Sequence, residues 1–262
     1  MLLLTSPPLA RMIPFPKAMA PSLSVVIPMH DEEPYVQRAV TAAREAARTI
    51  SEDYEILVVD DASTDRTRDL AEALAREDAR GRVLRQPERR GLGAALRDGF
   101  AAATGDLVLY SDADLPFDFQ EVPRAVRLLE YQEADVLAAY RFDRTSEGLV
   151  RTLYTLVYSA LVRTLFGLRL RDTNFSFKLF RRALLPRLEL KSEGSFIDAE
   201  FLVRARNAGA RIIQMGVDYF PRSRGRSSLA SPGVIVGILA EMGRLAPELW
   251  RGRLPPGPRR GQ

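Results

Sequence analysis

Two carboxylates, Asp112 and Asp114, stand one residue apart in the run Gly-Asp-Leu-Val-Leu-Tyr-Ser-Asp-Ala-Asp-Leu-Pro, residues 105–116. Acids at that spacing can hold a hard divalent cation beside a phosphate, because each offers oxygen donors. They follow Leu107 to Tyr110, an apolar run without alternation that suits a central strand buried on both faces. That places them at the carboxyl end of the strand, the edge where open α/β sheets bind ligands. An isolated Asp-x-Asp is equally a solvated loop, so its surroundings decide.

More acids follow two earlier apolar runs: Asp31, Glu32 and Glu33 after Leu23–Ile27, and Asp60 and Asp61 after Tyr54–Val59. Helical spacing predicts a helix from about 34 to 50 and another over 65–79, the latter capped by Ser63 or Thr64 with Asp65 in its first turn. A short strand at 83–85 follows, then Gly91-Leu-Gly93 opens an alanine-rich helix that ends near Gly105. Strands alternating with helices predict an α/β fold with a parallel sheet and right-handed crossovers. Carboxylates gathered at three strand ends repel one another unless a cation or hydrogen-bond donors lie between them. A nucleotide with a divalent ion meets that need. A dinucleotide site would require Gly-x-Gly-x-x-Gly directly after a strand, whereas residues 91–96 read Gly-Leu-Gly-Ala-Ala-Leu and the first strand ends in Pro28.

The remaining composition narrows the chemistry. No cysteine and one histidine, His30, exclude disulfides and thiolate or His-rich zinc centres, so any metal is oxygen-bound. The net charge of +4 comes from the ends: Arg11 and Lys17 contribute +2, and Arg251, Arg253, Arg259 and Arg260 contribute +4, leaving −2 for the body. A nucleic-acid partner is not indicated. Residues 1–20 carry no convincing signal peptide and are expected to be a disordered extension or to reflect a start placed too early. Residues 21–230 form the main domain, 231–250 a C-terminal amphipathic helix, and 251–262 a flexible basic tail suited to an anionic membrane surface.

In the second half, Val136 to Ala139 reads as a strand leading to Arg141. Leu149 to Phe166 is apolar except for Arg151, Thr155, Ser159 and Arg163, spaced by four on one helical face. Its uncharged stretch of 11 residues is too short to span a bilayer. The helix either packs half-buried or lies in the membrane interface. Asp172 to Phe180 alternates Phe175, Phe177 and Leu179 with Asn174, Ser176 and Lys178, the pattern of a strand with one wet face, which puts Lys178 on the polar side. Asp198 and Glu200 begin a helix running to Asn207. They either complement its dipole or close over an acceptor. Arg222-Ser-Arg224-Gly-Arg226 is either a basic connector or a loop that folds over a diphosphate.

With these motifs in place the chain resembles a family 2 glycosyltransferase of GT-A fold. The likeness rests on Val-Val-Ile-Pro-x-x-Asp-Glu at 25–32, Val-Val-Asp-Asp-x-Ser-x-Asp at 58–65, Gly-x-Gly-x-Ala at 91–95 and Asp112-Ala113-Asp114, over about residues 22–230. The second half resembles the polyprenyl-phosphate (dolichyl-phosphate) hexosyltransferases. The resemblance implies a nucleotide-sugar site of Pro28, Glu32, Asp60, Ser63, Gly91, Gly93, Asp112, Ala113, Asp114 and Arg224. It also implies Mg2+ or Mn2+ on Asp112 and Asp114, and an acceptor phosphate on Arg141, Arg151 and Lys178. Asp31, Pro116 and Ser228 stand where the family often has asparagine, glutamine and lysine. The expected reaction is inverting transfer of a hexose from a nucleotide-diphosphate sugar, UDP-glucose in preference to GDP-mannose, to a polyprenyl phosphate. That acceptor is already ionised and needs no general base. A saccharide hydroxyl acceptor would instead need Asp198 as base, and a non-catalytic sugar-nucleotide sensor or a dinucleotide oxidoreductase are the other readings. Lacking a spanning helix, the enzyme is expected to be cytoplasmic, soluble or peripheral on the membrane.

Overall fold

A computed structural model of the chain describes residues 20–142, 149–220 and 232–251, with only the backbone for 149–156 and 232. The expected N-terminal extension, the basic loop with Arg224 and the tail fall outside these residues, apart from Ala20 and Arg251. Seven strands and seven α-helices are described, in the order β1 (Leu23–Met29), α1 (Val36–Ile50), β2 (Tyr54–Asp60), α2 (Thr67–Glu77), β3 (Gly81–Arg85), α3 (Leu92–Ala102), β4 (Leu107–Ser111), α4 (Val122–Tyr131), β5 (Val136–Arg141), α5 (Leu149–Phe166), β6 (Phe177–Arg181), α6 (Ile197–Asn207), β7 (Ile212–Val217) and α7 (Pro232–Arg251). One sheet holds all seven strands in the order β3-β2-β1-β4-β6-β5-β7. Only β6 runs antiparallel, between β4 and β5. The mostly parallel α/β architecture expected from the sequence is the one observed.

Every residue of β1, β2 and β4 is buried, as strands covered on both faces require. Alternate side chains feed two cores. Val25, Ile27, Leu107 and Leu109 meet α1 and α4 on one face. Val26, Val108 and Tyr110 meet α3, α5, α6 and α7 on the other. In α1 the residues Ala39, Val40, Ala43, Ala46, Ala47 and Ile50 recur at helical spacing, and the small alanines let it lie close on the sheet. Ile238, Met242, Leu245 and Leu249 bring α7 into the second core.

Three expectations need correction. Neither Ser63 nor Thr64 caps α2, which starts at Thr67; Asp65 Oδ1 accepts the Thr67 N–H at 2.9 Å in an Asx-type turn instead. The strand placed over 172–180 spans only Phe177–Arg181. Its alternation is real, but the face of Lys178 is not wet: α6 covers it, and Lys178 is 2% exposed. Helix α4 and strand β7 are not among the elements expected from the sequence.

The amino-terminal edge of the sheet is tied by Glu55 on β2. Its carboxylate accepts from Ser24 Oγ (2.7 Å), Thr104 N (2.7 Å), Thr104 Oγ1 (2.8 Å) and Arg82 Nη1 (2.9 Å). Burial pushes the Glu55 carboxyl up, but the hydrogen bonds from Ser24, Thr104 and Arg82 outweigh it and hold it below the usual glutamate value. A depressed carboxyl stabilises the fold fully above its unfolded pKa of about 4.3 and loses that contribution as pH falls through the lower folded value. Arg82 is half in solvent and adds little. We expect Glu55→Ala to lose about 2–4 kcal/mol in urea unfolding at pH 7, and Glu55→Gln about 1 kcal/mol. The gap between wild type and Glu55→Gln should close as pH drops below about 4.

Candidate active site

Strand order fixes where a ligand can enter. The chain passes from β1 outward to β2 and β3 on one side and continues with β4 on the other, so β1 and β4 flank the switch point of the sheet. Their ladder stops at the pair Val26 and Tyr110, while β1 continues alongside β2 as far as Met29 and Asp60. Pro28, which has no N–H to give, sits where β1 has left β4. With strands ~4.8 Å apart, the tips of β2 and β4 lie about 10 Å from each other across β1.

Asp112 and Asp114 project from the turn that ends β4, which Leu115 closes at φ 55°. Tyr110 donates its hydroxyl to Asp112 Oδ1 at 3.1 Å. Burial first, then the charges of Asp114 and Asp198, push the Asp112 carboxyl up to about 7, against hydrogen bonds from Ser176 and Tyr110. Like charges are therefore crowded at this corner.

Opposite them stands a buried ion pair. Because β6 is inserted between β4 and β5, Lys178 is in register with Tyr110 on one side and Ala138 on the other. Its ammonium lies 5.4 Å from the centroid of the Tyr110 ring, donates to Phe175 O at 2.8 Å, and is in ion-pair contact with Asp198 of α6. Burial raises the Asp198 carboxyl while Lys178 pulls it back, and the net shift is upward. Asp172 also acts on Asp198. Its own carboxylate holds Arg141 in a fork, Nε at 2.7 Å and Nη2 at 3.3 Å. The Arg141 guanidinium sits 5.6 Å from the Phe175 ring centroid and 5.0 Å from that of Tyr219.

The acids of the first two strand tips are satisfied differently. Asp31, at φ 53°, accepts from Thr64 N (2.7 Å) and Asp65 N (3.3 Å), and these bonds, led by Thr64, hold its carboxyl below the usual range. Asp60 accepts from Ser63 N at 3.1 Å. Ser63 Oγ in turn accepts from Asp31 N at 3.1 Å, and Glu32 N donates to Thr67 Oγ1 at 2.8 Å. Asp61 takes both Arg90 N (2.6 Å) and Gly91 N (2.9 Å). Backbone donors therefore satisfy Asp31, Asp60 and Asp61, the second of the two alternatives expected for the clustered acids.

Among the expected site residues, Asp112, Ala113, Asp114, Lys178 and Asp198 come together, with Pro28, Glu32, Asp60 and Ser63 on the neighbouring tips. Gly91 and Gly93 are packed against residues 192–194: a Cβ would lie 2.6 Å from Glu193 O at Gly91 and 2.3 Å from Ser192 O at Gly93. Gly93 N donates to Glu193 O at 2.7 Å. Arg151 lies on α5 with its side chain outside the described residues, and Arg224 lies outside them altogether. Glu200 neither faces the acids nor serves the helix dipole alone: it is fully buried and accepts from Lys191 N and Ser192 N. Sequence reasoning assigned no role to Tyr110, Asp172 or Ser176. The phase of Tyr110 relative to Asp112 on one strand was the available signal for the first.

The oxygen donors at the β4 tip, crowded and half-buried, suit a hard divalent cation. Among the described residues no third acid or histidine joins them in metal-binding geometry, so further ligands would be diphosphate oxygens and water. A cavity of about 1250 Å³ at the opposite sheet edge, lined by Arg97, Phe100, Arg181, Arg182 and Leu185 among others, lies away from these acids.

Comparison with known proteins agrees with this geometry. Residues 24–188 match the description "Glycosyl transferase family 2". The chain belongs to that family. It is 32% identical over 207 residues to glycosyltransferase AglD of Haloferax volcanii, covering 76% of this chain and 33% of that protein. It is 30% identical over 207 residues to dodecaprenyl-phosphate galacturonate synthase of Rhizobium johnstonii, covering 78% and 61%. The chain thus spans between a third and three-fifths of these relatives. Among solved structures it resembles glucosyl-3-phosphoglycerate synthase of Mycobacterium tuberculosis in complex with Mn2+ and UDP-glucose, at a TM-score of 0.65 and 26% identity, covering 87% of this chain and 80% of that one. This family 2 chain accordingly has the GT-A fold.

Removing one partner of the buried pair leaves the other uncompensated. We expect Lys178→Met to destabilise the protein by about 3–5 kcal/mol in urea unfolding at pH 7. The double variant Lys178→Met/Asp198→Asn should regain about half of that loss, because the stranded charge is gone.

Proposed function

We propose that this chain is a metal-dependent hexosyltransferase that moves a sugar, with inversion, from a nucleotide-diphosphate donor to a polyprenyl phosphate. The observation that carries the reading is the crowding of Asp112 and Asp114 beside the Lys178–Asp198 pair at the switch point of the sheet. Asp112 and Asp114 would hold Mg2+ or Mn2+, which when bound stabilises the charge on the departing nucleoside diphosphate. Pro28, Glu32, Asp60 and Ser63 would line the nucleoside pocket. Their loops are already locked by the bonds of Asp31, Asp60 and Thr67, so little ordering is left for binding to impose. UDP-glucose is the favoured donor, in keeping with the solved neighbour that binds it.

The polyprenyl phosphate acceptor is supported by the similarity to the Rhizobium dodecaprenyl-phosphate galacturonate synthase. Arg141 and Arg151 are its proposed anchors, the first pre-oriented by Asp172 and two aromatic rings. Lys178, engaged by Asp198 and Phe175 O, would serve by holding Asp198 rather than by binding the acceptor itself. Contact with a lipid surface is part of the proposal: α7 exposes Val236, Leu239 and Trp250, α5 exposes Val157, and the Trp250 indole ties the two helices by donating to Leu165 O at 2.7 Å. No helix among the described residues is long and apolar enough to cross a membrane.

A saccharide hydroxyl acceptor is the second reading, favoured by the raised, buried carboxyl of Asp198 beside the metal pair. Asp198→Asn separates the two. It should cost less than about tenfold in kcat with a phosphate acceptor and about 10²-fold or more with a hydroxyl acceptor that needs a base. Asp114→Asn should abolish Mn2+-dependent transfer in either case; transfer that persists in that variant would contradict the metal assignment.

A further inference from the structure

Four consecutive backbone N–H groups, Lys191 to Gly194, are all taken by two carboxylates from different helices. Glu200 of α6 accepts from Lys191 N at 3.0 and 3.1 Å and from Ser192 N at 2.8 Å. Glu241 of α7 accepts from Glu193 N at 2.8 Å and Gly194 N at 3.0 Å, both on Oε1. Charge-assisted bonds of this kind are among the stronger ones in a protein. The gripped turn touches the site at two places. Its Glu193 carbonyl accepts from Gly93 N at 2.7 Å, in the first turn of α3, where no side chain larger than hydrogen fits. Its other end runs into α6, Gly194 O accepting from Ile197 N at 3.3 Å, one residue before Asp198.

We propose that Glu241 is a positioning residue for transfer, acting through the 191–194 turn on Asp198 and on the first turn of α3. Both α6 and α7 lie beyond residues 24–188, the span matched to the family. The proposal deepens the transferase reading and rests on it for one of its two readouts. Loss of the grip should lower kcat and leave donor KM nearly unchanged. The loops expected to bind the nucleoside are held by their own mutual bonds, whereas Asp198 depends on where the turn sends α6. Asp198→Asn would remove a charge and keep its position, whereas loss of the grip shifts the whole Lys178–Asp198 pair beside Asp112, and a displacement of even 1 Å there is expensive in rate.

The test compares Glu241→Ala with Glu241→Gln in the full chain, each assayed well below its own melting midpoint with UDP-glucose, Mn2+ and polyprenyl phosphate. The glutamine oxygen can still accept both N–H groups, and Oε2 has no hydrogen-bond partner to lose among the described residues. Glu241→Ala should lower kcat about tenfold with donor KM within about threefold of wild type, and Glu241→Gln should recover at least about half of the wild-type kcat. Hydrogen exchange at Gly93, at 193–194 and in the first turn of α6 should accelerate in the alanine variant and not in the glutamine variant. A folded alanine variant with wild-type kcat, or a glutamine variant as slow as alanine, would overturn the proposal. Should wild type turn over no donor, the transferase reading falls, and exchange alone decides: acceleration reaching Gly93 and α6 supports the positioning role, and acceleration confined to α7 refutes it.

Discussion

Three carboxylates, Asp112, Asp114 and Asp198, share one corner at the carboxyl end of the sheet, and the ammonium of Lys178 pairs with Asp198. Charge crowding of this kind is unfavourable for folding, and the surrounding architecture is arranged around it. Tyr110 and Ser176 give hydrogen bonds to Asp112. The antiparallel insertion of β6 carries Lys178 under Tyr110 and up to Asp198. The charges of Asp114 and Asp198 still raise the Asp112 carboxyl, and a cation with a diphosphate would relieve that crowding.

The other acids of the strand tips show how backbone amides do the same work without a ligand. Asp31 and Asp61 each bind N–H groups of the next turn along the sheet edge, and Asp60 accepts from Ser63 N within its own, so β1, β2 and the approach to α3 are stitched in sequence. Glu200 and Glu241 repeat the device on the far side, gripping residues 191–194. The loops around the site are therefore held by carboxylate-to-amide bonds, which are charge-assisted and stronger than neutral ones. Rigid loops around one under-compensated corner are what a site needs if its electrostatics are to be organised before substrate arrives.

The first half of this architecture was legible because its signals are local. The runs at 23–27 and 54–59, apolar but for Ser24 and Glu55, and the unbroken run at 107–110 have the length and β-branched content of strands buried on both faces, and the acids behind each mark a common edge. The second half was less legible because its key contacts are long-range. Alternation around Lys178 correctly separated two faces, yet whether the polar face is wet depends on α6, twenty residues on, which no spacing rule reveals. Helix α4 offered no motif to anchor an assignment, and β7 is interrupted by Gly216, against which the Phe142 ring packs. The family pattern implies nucleotide contacts at Gly91 and Gly93, and the structure adds a packing reason for glycine at both positions, the carbonyls of Ser192 and Glu193.

The most direct measurement is anomalous diffraction from crystals grown with manganese and UDP. The predicted result is a manganese peak within about 2.5 Å of carboxylate oxygens of Asp112 or Asp114, with the diphosphate on its open side and the uracil near Asp60. A manganese ion bound elsewhere with UDP in place, or UDP bound away from the β1–β4 crevice, would contradict the account.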